Sequence, residues 1–287
     1  MAEQSESEEA LTNESENCDS SCSACGVSGC AKRTEPEKLV AHPQAKIRRT
    51  IAVVSGKGGV GKSLVTSQLA ALACAKGRKV GVLDADITGP TMARAFGLSE
   101  NLRASKEGII PQETAQGIKV VSTNMMLQDE TTPVLWRGAI ITNLIRQFFS
   151  EVLWGELDYL FIDMPPGTGD AALTVFQSLP IDGIVIVTAP QDLVSMIVGK
   201  AINMANMMEV PVLGIVENMA YFKCPDCGSE HQIFGQSSVN ALAGEYGIGL
   251  SVSLPLDGNF AEYMDKGEAA SLALPELSDF ADELFAL

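Results

Sequence analysis

The chain has 287 residues, 46% of them hydrophobic, and a net charge of −16 at pH 7. This length and composition support one large or two small hydrophobic cores. A chain this acidic is poorly suited to nonspecific DNA or to anionic lipid, because both attract positive charge. We therefore expect neither nucleic acid nor membrane among its partners.

The cellular compartment is predicted from the N-terminus and from the apolar runs. The N-terminus is acidic where a signal peptide would be basic and then apolar, and the longest apolar runs have only the length of a strand. We therefore expect a cytoplasmic protein. Thiols stay reduced in the cytosol, so metal or cluster binding is favoured over disulfides for the seven cysteines.

The composition of residues 1–49 predicts a flexible, acidic, cysteine-containing segment that ends in a linker. The first 31 residues carry seven acids and no Lys or Arg, and residues 1–17 are almost free of apolar side chains, which is typical of disorder. Four thiols follow within thirteen residues, at Cys18, Cys22, Cys25 and Cys30. The sequence leaves four interpretations of these thiols: they bind an iron–sulfur cluster, they bind zinc, they form a redox-active tail, or they carry no ligand.

From residue 50 to residue 287, short β-branched runs alternate with helix-like segments. Most runs lack polar alternation, as expected for strands covered on both faces. The alternation predicts one α/β domain with a mostly parallel, twisted sheet flanked by helices on both faces. The predicted strands are 50–55, 79–84, 118–122, 158–163, 183–190, 211–217 and 250–255, and the predicted helices are about 63–76, 137–153, 192–208, 236–246 and 276–286.

A phosphate-binding loop follows the first predicted strand and opens the first predicted helix. The segment "VSGKGGVGKS" (54–63) contains G-x-x-x-x-G-K-S in the strand–loop–helix context that this motif requires. Its glycines let backbone N–H groups turn toward the phosphates, Lys62 reaches the outer phosphates, and Ser63 can hold Mg²⁺. The helix N-terminus adds partial positive charge. The predicted nucleotide-binding residues here are Gly56, Lys57, Gly58, Gly59, Val60, Gly61, Lys62 and Ser63.

A second lysine, Lys57, directly follows the first glycine of the loop, and it is not needed to cradle one nucleotide. With this deviant P-loop the chain resembles the dimeric ATPases related to MinD, ParA and the nitrogenase iron protein. The resemblance implies a P-loop NTPase that binds ATP, and a Lys57 that reaches the partner's nucleotide much as an arginine finger does. Alternatively, Lys57 is a solvated surface lysine without a role in catalysis.

Two predicted strands end in aspartates suited to ATP hydrolysis. Asp163 closes "DYLFID" in the pattern of a Walker B aspartate, which binds Mg²⁺ directly or through water. Asp84 and Asp86 lie in "VLDADITGPT" (82–91), where a carboxylate near the γ-phosphate can orient or deprotonate the attacking water. The resemblance favours Asp86 for the water and Asp84 as a supporting acid. Alternatively, these aspartates are helix caps or turn residues without a catalytic role.

The segment "FKCPDCGSEH" (222–231) places Cys224 and Cys227 in a C-P-x-C-G turn, which usually supplies two ligands of a four-ligand metal site. No second C-x-x-C follows it in the chain. By itself, this turn, a cysteine knuckle, favours a zinc site in which His231 could be a third ligand.

Several segments together resemble the Mrp or ApbC-like family of iron–sulfur cluster carrier ATPases. They are "DADITGPT", "PVLWRG" (133–138), "DYLFIDMPPGTGD" and "GIVENMAYFKCPDCG" (214–228), in which C-P-x-C comes after a strand expected to end at "ENM". The resemblance implies a homodimer with weak ATP hydrolysis that hands a 4Fe–4S cluster to apoproteins and works with the cluster assembly machinery. Cys224 and Cys227 of each copy would hold one bridging cluster, consistent with the four soft thiolates that such a cluster needs.

The same resemblance implies roles for residues outside these motifs. Asn218 would read the adenine, helped by the segment around Pro255 and Asp257, and its alternative role is to satisfy a turn backbone. Some relatives carry an N-terminal cluster on four cysteines, but with a different spacing, so Cys22, Cys25 and Cys30 are firmer ligands than Cys18. A MinD- or ParA-like positioning ATPase with a structural zinc knuckle is the main alternative function, and an ATP-driven electron donor is a weaker one.

Overall fold

The computed structural model describes residues 38–86, 89–98, 101–126, 138–190, 194–237, 239–272 and 274–287. Residues 38–287 form one compact unit. The four N-terminal cysteines, Cys18, Cys22, Cys25 and Cys30, lie outside the described residues, so their predicted roles stay predictions. Within these ranges, no helix is both long and apolar enough to cross a membrane.

The elements alternate between strands and helices along most of the chain. The strands are β1 (Lys46–Ser55), β2 (Val80–Asp84), β3 (Arg103–Ala104), β4 (Ile109–Ile110), β5 (Gln112–Glu113), β6 (Lys119–Val121), β7 (Glu156–Asp163), β8 (Gly183–Thr188), β9 (Val212–Lys223), β10 (Glu230–His231) and β11 (Ser251–Pro255). The helices are α1 (Lys62–Ala75), α2 (Met92–Ala95), α3 (Gly138–Ser150), α4 (Asp170–Ser178), α5 (Val194–Met207), α6 (Val239–Glu245), α7 (Gly258–Lys266) and α8 (Pro275–Ala286).

The main sheet has the strand order β10-β9-β8-β1-β7-β2-β6-β5, and β11 pairs with β9. The central pairs are parallel, and the short strands β10 and β5 add antiparallel pairs at the two ends. One hydrophobic core lies between the sheet and helices α3, α4, α5 and α6, and a second lies under α1, α2, α7 and α8. The predicted α/β architecture, a mostly parallel sheet with helices on both faces, is confirmed.

The structure differs from the sequence-based expectation at several element boundaries. β1 begins at Lys46 because pairing with Glu156 extends it beyond the predicted start at residue 50. β9 does not end at "ENM" but runs to Lys223, so that expectation was wrong. Its second half is extended because β11 pairs with it as far as Tyr221 and β10 pairs with its last residues.

Helices α2, α4 and α7 were not predicted. α4 begins at Asp170, directly after the Pro- and Gly-rich segment 165–169. α7 depends on tertiary contacts and on a cap: Asp257 Oδ1 accepts a hydrogen bond from the Asn259 amide at 2.9 Å, and Phe260 is buried in the second core. At nine residues, α7 is shorter than the stretch of about 11–18 residues over which helical periodicity can be recognised in a sequence.

Candidate nucleotide-binding site and cysteine pair

The P-loop lies between the end of β1 and the start of α1, at one edge of the sheet. In the parallel register, Val53 of β1 is paired with Asp163 of β7, and Asp163 is paired with Asp84 of β2. Because the carboxyl ends of parallel strands share an edge, both aspartates lie beside the loop. The three predicted site segments therefore meet at one place in the fold.

Lys62 forms a buried ion pair with the predicted Walker B aspartate. Its Nζ lies 2.7 Å from Asp163 Oδ2 and 3.9 Å from Asp86 Oδ2, and the side chains of Lys62 and Asp163 are 6% and 0% exposed. The ammonium has three N–H donors, so the contact with Asp163 leaves donors of Lys62 available to a ligand. A buried ammonium with unused donors, at the end of a glycine-rich loop, fits the outer phosphates of a nucleotide.

Asp163 also accepts hydrogen bonds from two hydroxyl groups on the first turns of α1. Ser63 Oγ donates to Asp163 Oδ2 at 2.7 Å, and Thr66 Oγ1 donates to Asp163 Oδ1 at 2.7 Å. Ser63 and Asp163 are thus close enough to share one Mg²⁺, whose preferred ligands are oxygen atoms. Thr66 was missed by the sequence reasoning, although its spacing of three from Ser63 places both hydroxyls on one helix face.

Asp84 is fully buried and accepts four hydrogen bonds from the described residues. Its Oδ1 accepts from the Asp86 amide at 3.1 Å. Its Oδ2 accepts from the amides of Thr91 and Met92, at 3.0 and 3.1 Å, and from Ser122 Oγ at 3.0 Å. Burial and the neighbouring Asp163 carboxylate raise the pKa of Asp84 from 3.8 to about 7, against the opposing effects of the Met92 amide, Lys62 and Ser122. Asp84 therefore anchors the segment that carries Asp86, and its role as a supporting acid stays a prediction.

The pKa of Asp84 leads to a prediction about stability. Folding raises this pKa, so the folded chain holds a proton that the unfolded chain releases above about pH 4. The contribution of Asp84 to the free energy of unfolding should be fully present below pH 4 and lost as pH rises through about 7. Asp84→Asn cannot titrate, so its stability relative to the wild type should improve with rising pH, by up to about 1.4 kcal/mol per pH unit.

The test is thermal unfolding of both proteins at pH 5, 6, 7 and 8 in EDTA without nucleotide. A difference in stability that stays constant from pH 5 to pH 7 would contradict the raised pKa of Asp84.

The start of α1 is shaped to receive an anion. Gly61 at the N-cap has φ +84°, a left-handed conformation that L side chains rarely adopt, and the helix N-terminus has no side-chain cap. A Cβ at Gly61 would also lie 2.2 Å from Asn218 Nδ2. The amides of the first turn are therefore left for a ligand, and glycine is required where Asn218 crosses the loop.

A cavity of 350 Å³ adjoins the P-loop on the side of α7. Its lining combines P-loop residues with the segments predicted to surround the base, and consists of Gly59, Gly61, Leu64, Asn218, Met219, Pro255, Leu256, Asp257, Gly258, Phe260, Ala261 and Met264. Asn218 Nδ2 donates to the Val60 carbonyl at 3.0 Å, while its buried Oδ1 has no partner in the described part of the chain. The cavity brings the predicted adenine-binding residues together and leaves one amide oxygen able to accept from an amino group. Two larger clefts, of 430 and 720 Å³, have no P-loop residue in their lining.

Cys224 and Cys227 lie at the turn between β9 and β10. The Cys224 amide donates to the Ser229 carbonyl at 2.9 Å, and the Gly228 amide donates to the Cys224 carbonyl at 2.9 Å, which closes the knuckle. Cys224 is half-buried and Cys227 is exposed. Cys227 Sγ and Ser229 Oγ lie 3.3 Å apart, and hydrogen bonds that the Ser229 side chain and backbone can donate to the thiolate lower the pKa of Cys227. Both sulfurs can therefore be reached by a ligand from outside the chain.

Among the described residues, Cys224 and Cys227 stand as a pair rather than as part of a complete metal site. Within the ranges that the structure describes, no three His, Cys, Asp or Glu side chains are grouped so that they could hold a metal ion. His231, the third zinc ligand considered above, lies in β10 and is paired with Phe222. The donor set of two soft thiolates fits half of a four-thiolate site.

β9 connects the two halves of the site. The strand carries Asn218, which touches the P-loop and lines the cavity, and it ends at Lys223, immediately before Cys224. Six residues of extended chain span at most about 20 Å. The nucleotide cavity and the cysteine pair are thus joined by one strand of the central sheet.

The family model of NUBPL iron-transfer P-loop NTPases, of the ParA type, matches residues 46–285. The chain belongs to this family. Proteins named iron–sulfur cluster carrier protein from Methanocaldococcus jannaschii and Clostridium perfringens are 47% identical over 262 residues and 46% identical over 256 residues, covering 87% and 86% of this chain and 89% of each relative.

Solved structures of similar chains show the fold expected for this family. A nucleotide-binding protein from Archaeoglobus fulgidus, solved in complex with ADP, has a TM-score of 0.73 and 45% identity over 80% of this chain and 90% of its own. The cell division ATPase MinD of Pyrococcus furiosus has a TM-score of 0.60 at 19% identity, covering 83% and 97%, and shows the fold alone. The predicted resemblance to iron–sulfur carrier ATPases and the predicted P-loop NTPase fold are both confirmed.

Proposed function

We propose that this P-loop NTPase binds Mg·ATP, hydrolyses it slowly and carries a 4Fe–4S cluster to acceptor apoproteins. Two copies hold the cluster as cargo, each through Cys224 and Cys227, and the cluster assembly machinery loads it. The observation that carries this proposal is the accessible cysteine pair, which lacks a third ligand in the described residues and follows the strand that lines the nucleotide cavity. The relatives' name, iron–sulfur cluster carrier protein, supports the same conclusion.

In this proposal the P-loop residues hold the phosphates, and Ser63 and Asp163 hold Mg²⁺. Lys57, half-buried in the loop, acts on the nucleotide of the second copy. Asp86, 3.9 Å from Lys62 Nζ, directs the attacking water. Asn218 contacts the adenine, and Cys18, Cys22, Cys25 and Cys30 are candidates for a second cluster.

Anaerobic reconstitution with iron and sulfide tests the proposal. Iron, zinc and visible absorbance are measured for the wild type and for Cys224→Ala/Cys227→Ala, together with the mass in solution. We expect a brown dimer for the wild type and the loss of about one cluster per dimer in the double variant, because four thiolates are needed and two per copy are removed. Any cluster left in the double variant would belong to the N-terminal cysteines.

Cys74→Ala is the matched control, since Cys74 lies on α1 and its Sγ donates to the Gln116 carbonyl at 3.1 Å, away from the knuckle. This variant should keep the full cluster content. Tight zinc at Cys224 and Cys227 with no cluster would overturn the carrier function and leave a positioning ATPase with a zinc knuckle as the alternative.

A further inference from the structure

Ser122 is a buried hydroxyl that no motif of the sequence pointed to. It directly follows β6, whose neighbour is β2, the strand that ends in Asp84. Ser122 is 0% exposed, and its Oγ donates to Asp84 Oδ2 at 3.0 Å. Its hydroxyl therefore points at a carboxylate of the nucleotide site, from a strand that supplies no P-loop residue.

The Asp84 carboxylate holds two ends of the segment that includes Asp86. Oδ1 accepts from the Asp86 amide at 3.1 Å, and five residues later the Thr91 amide donates to Oδ2 at 3.0 Å. The rotation of this carboxylate sets where Oδ1 lies, and hence where the Asp86 backbone is held. Among the described residues bonded to Oδ2, Ser122 directly follows a strand of the sheet, whereas the Thr91 and Met92 amides belong to the segment being held.

We propose that Ser122 is a positioning residue for ATP hydrolysis: its hydroxyl orients the Asp84 carboxylate, which in turn holds Asp86 against Lys62. The proposal rests on the proposed function, in which Asp86 directs the attacking water. Ser122 is not among the residues that line the cavity, and its hydroxyl donates to Asp84 rather than to the P-loop. Its effect should therefore fall on the rate of the chemical step rather than on nucleotide affinity.

The first test is the steady-state ATPase activity of Ser122→Ala. We expect kcat to fall about tenfold, because a misplaced catalytic group loses rate steeply with distance, while KM and the separately titrated ATP affinity stay within about twofold. Ser122→Thr, which keeps a hydroxyl, should recover part of the lost kcat. Ser150→Ala is the matched control: Ser150 Oγ donates to the Arg146 carbonyl at 2.9 Å on α3, and the variant should keep the wild-type kcat.

A double-mutant cycle separates positioning from a general structural effect. If Ser122 acts through Asp84, then Ser122→Ala should cost little further kcat in an Asp84→Asn chain. Amide exchange gives a reading that does not depend on hydrolysis: the amides of Thr91 and Met92 should exchange about tenfold faster in Ser122→Ala.

Three results would overturn the assignment: an unchanged kcat in Ser122→Ala, a raised KM with kcat preserved, or full additivity with Asp84→Asn. A wild type without measurable hydrolysis, or an Asp86→Asn variant with normal hydrolysis, would instead remove the proposed role of Asp86. The amide exchange rates alone would then decide whether Ser122 positions Asp84. Exchange of the Thr91 and Met92 amides at the wild-type rate in Ser122→Ala would reject that positioning role.

Discussion

Lys62→Ala is expected to abolish ATP hydrolysis, with a loss of at least about 100-fold in kcat and a weaker affinity for ATP. The variant removes the only lysine that the described residues place between Asp86 and Asp163. It also leaves a fully buried carboxylate at Asp163 without its cation, which lies 2.7 Å away in the wild type. Breaking one side of a buried ion pair costs about 3–5 kcal/mol, so the free energy of unfolding should fall as well.

Activity, nucleotide titration and thermal unfolding without nucleotide measure these three effects separately. Lys79→Ala is the matched control, because Lys79 pairs with Glu156 at 2.9 Å on the surface, with side chains 64% and 63% exposed. An exposed pair contributes at most about 1 kcal/mol, so this variant should keep its activity and nearly all its stability. Hydrolysis by Lys62→Ala within tenfold of the wild type would contradict the assigned role of Lys62.

The same variant tests whether ATP binding tunes cluster release. The nucleotide cavity and Cys224 are joined through β9, so a change at the P-loop has a direct structural route to the cysteine pair. If ATP and cluster are coupled, reconstituted Lys62→Ala should transfer its cluster at a rate that no longer responds to ATP. Cluster transfer identical to that of the wild type, with and without ATP, would count against the coupling.

Gly267→Ala is expected to destabilise the fold by about 2–5 kcal/mol. Gly267 caps α7 with φ +77°, and a Cβ there would lie 2.5 Å from Gly97 Cα and 2.8 Å from the Gly97 amide nitrogen. A left-handed conformation costs an L residue about 1–2 kcal/mol, and overpacking adds about 1–3 kcal/mol. Because the obstruction is backbone, α7 must move away from the segment after α2, which should also loosen the cavity that α7 lines and weaken ATP binding.

Gly244→Ala in α6 provides the comparison, since a Cβ at Gly244 meets nothing within 4 Å. Alanine is favoured over glycine within a helix by about 0.5–1 kcal/mol, so this variant should be neutral or slightly stabilised. Thermal unfolding should show the Gly267 variant several degrees below the wild type and the Gly244 variant at or above it. Equal midpoints for the two variants would show that the close contact of Gly97 and Gly267 is not needed.

The sequence by itself determined the parts of this protein that depend on neighbouring residues. The P-loop is recognisable because its glycines, Lys62 and Ser63 act within one strand–loop–helix unit. Asp84 and Asp163 could be found because each closes a buried apolar strand, and parallel strands end at one edge. The cysteine knuckle was evident for the same local reason, and the order of strands and helices predicted the α/β fold.

Only the tertiary structure decided the contacts between distant segments. The bond from Asn218 to the Val60 carbonyl joins residues 158 positions apart, and that from Ser122 to Asp84 joins neighbouring strands whose pairing no local pattern specifies. The course of β9 beyond Asn218 likewise depends on β10 and β11, and the wall of the nucleotide cavity depends on α7, a helix of only nine residues. Such features arise from packing between elements, and a single sequence records local preference but not which surfaces will meet.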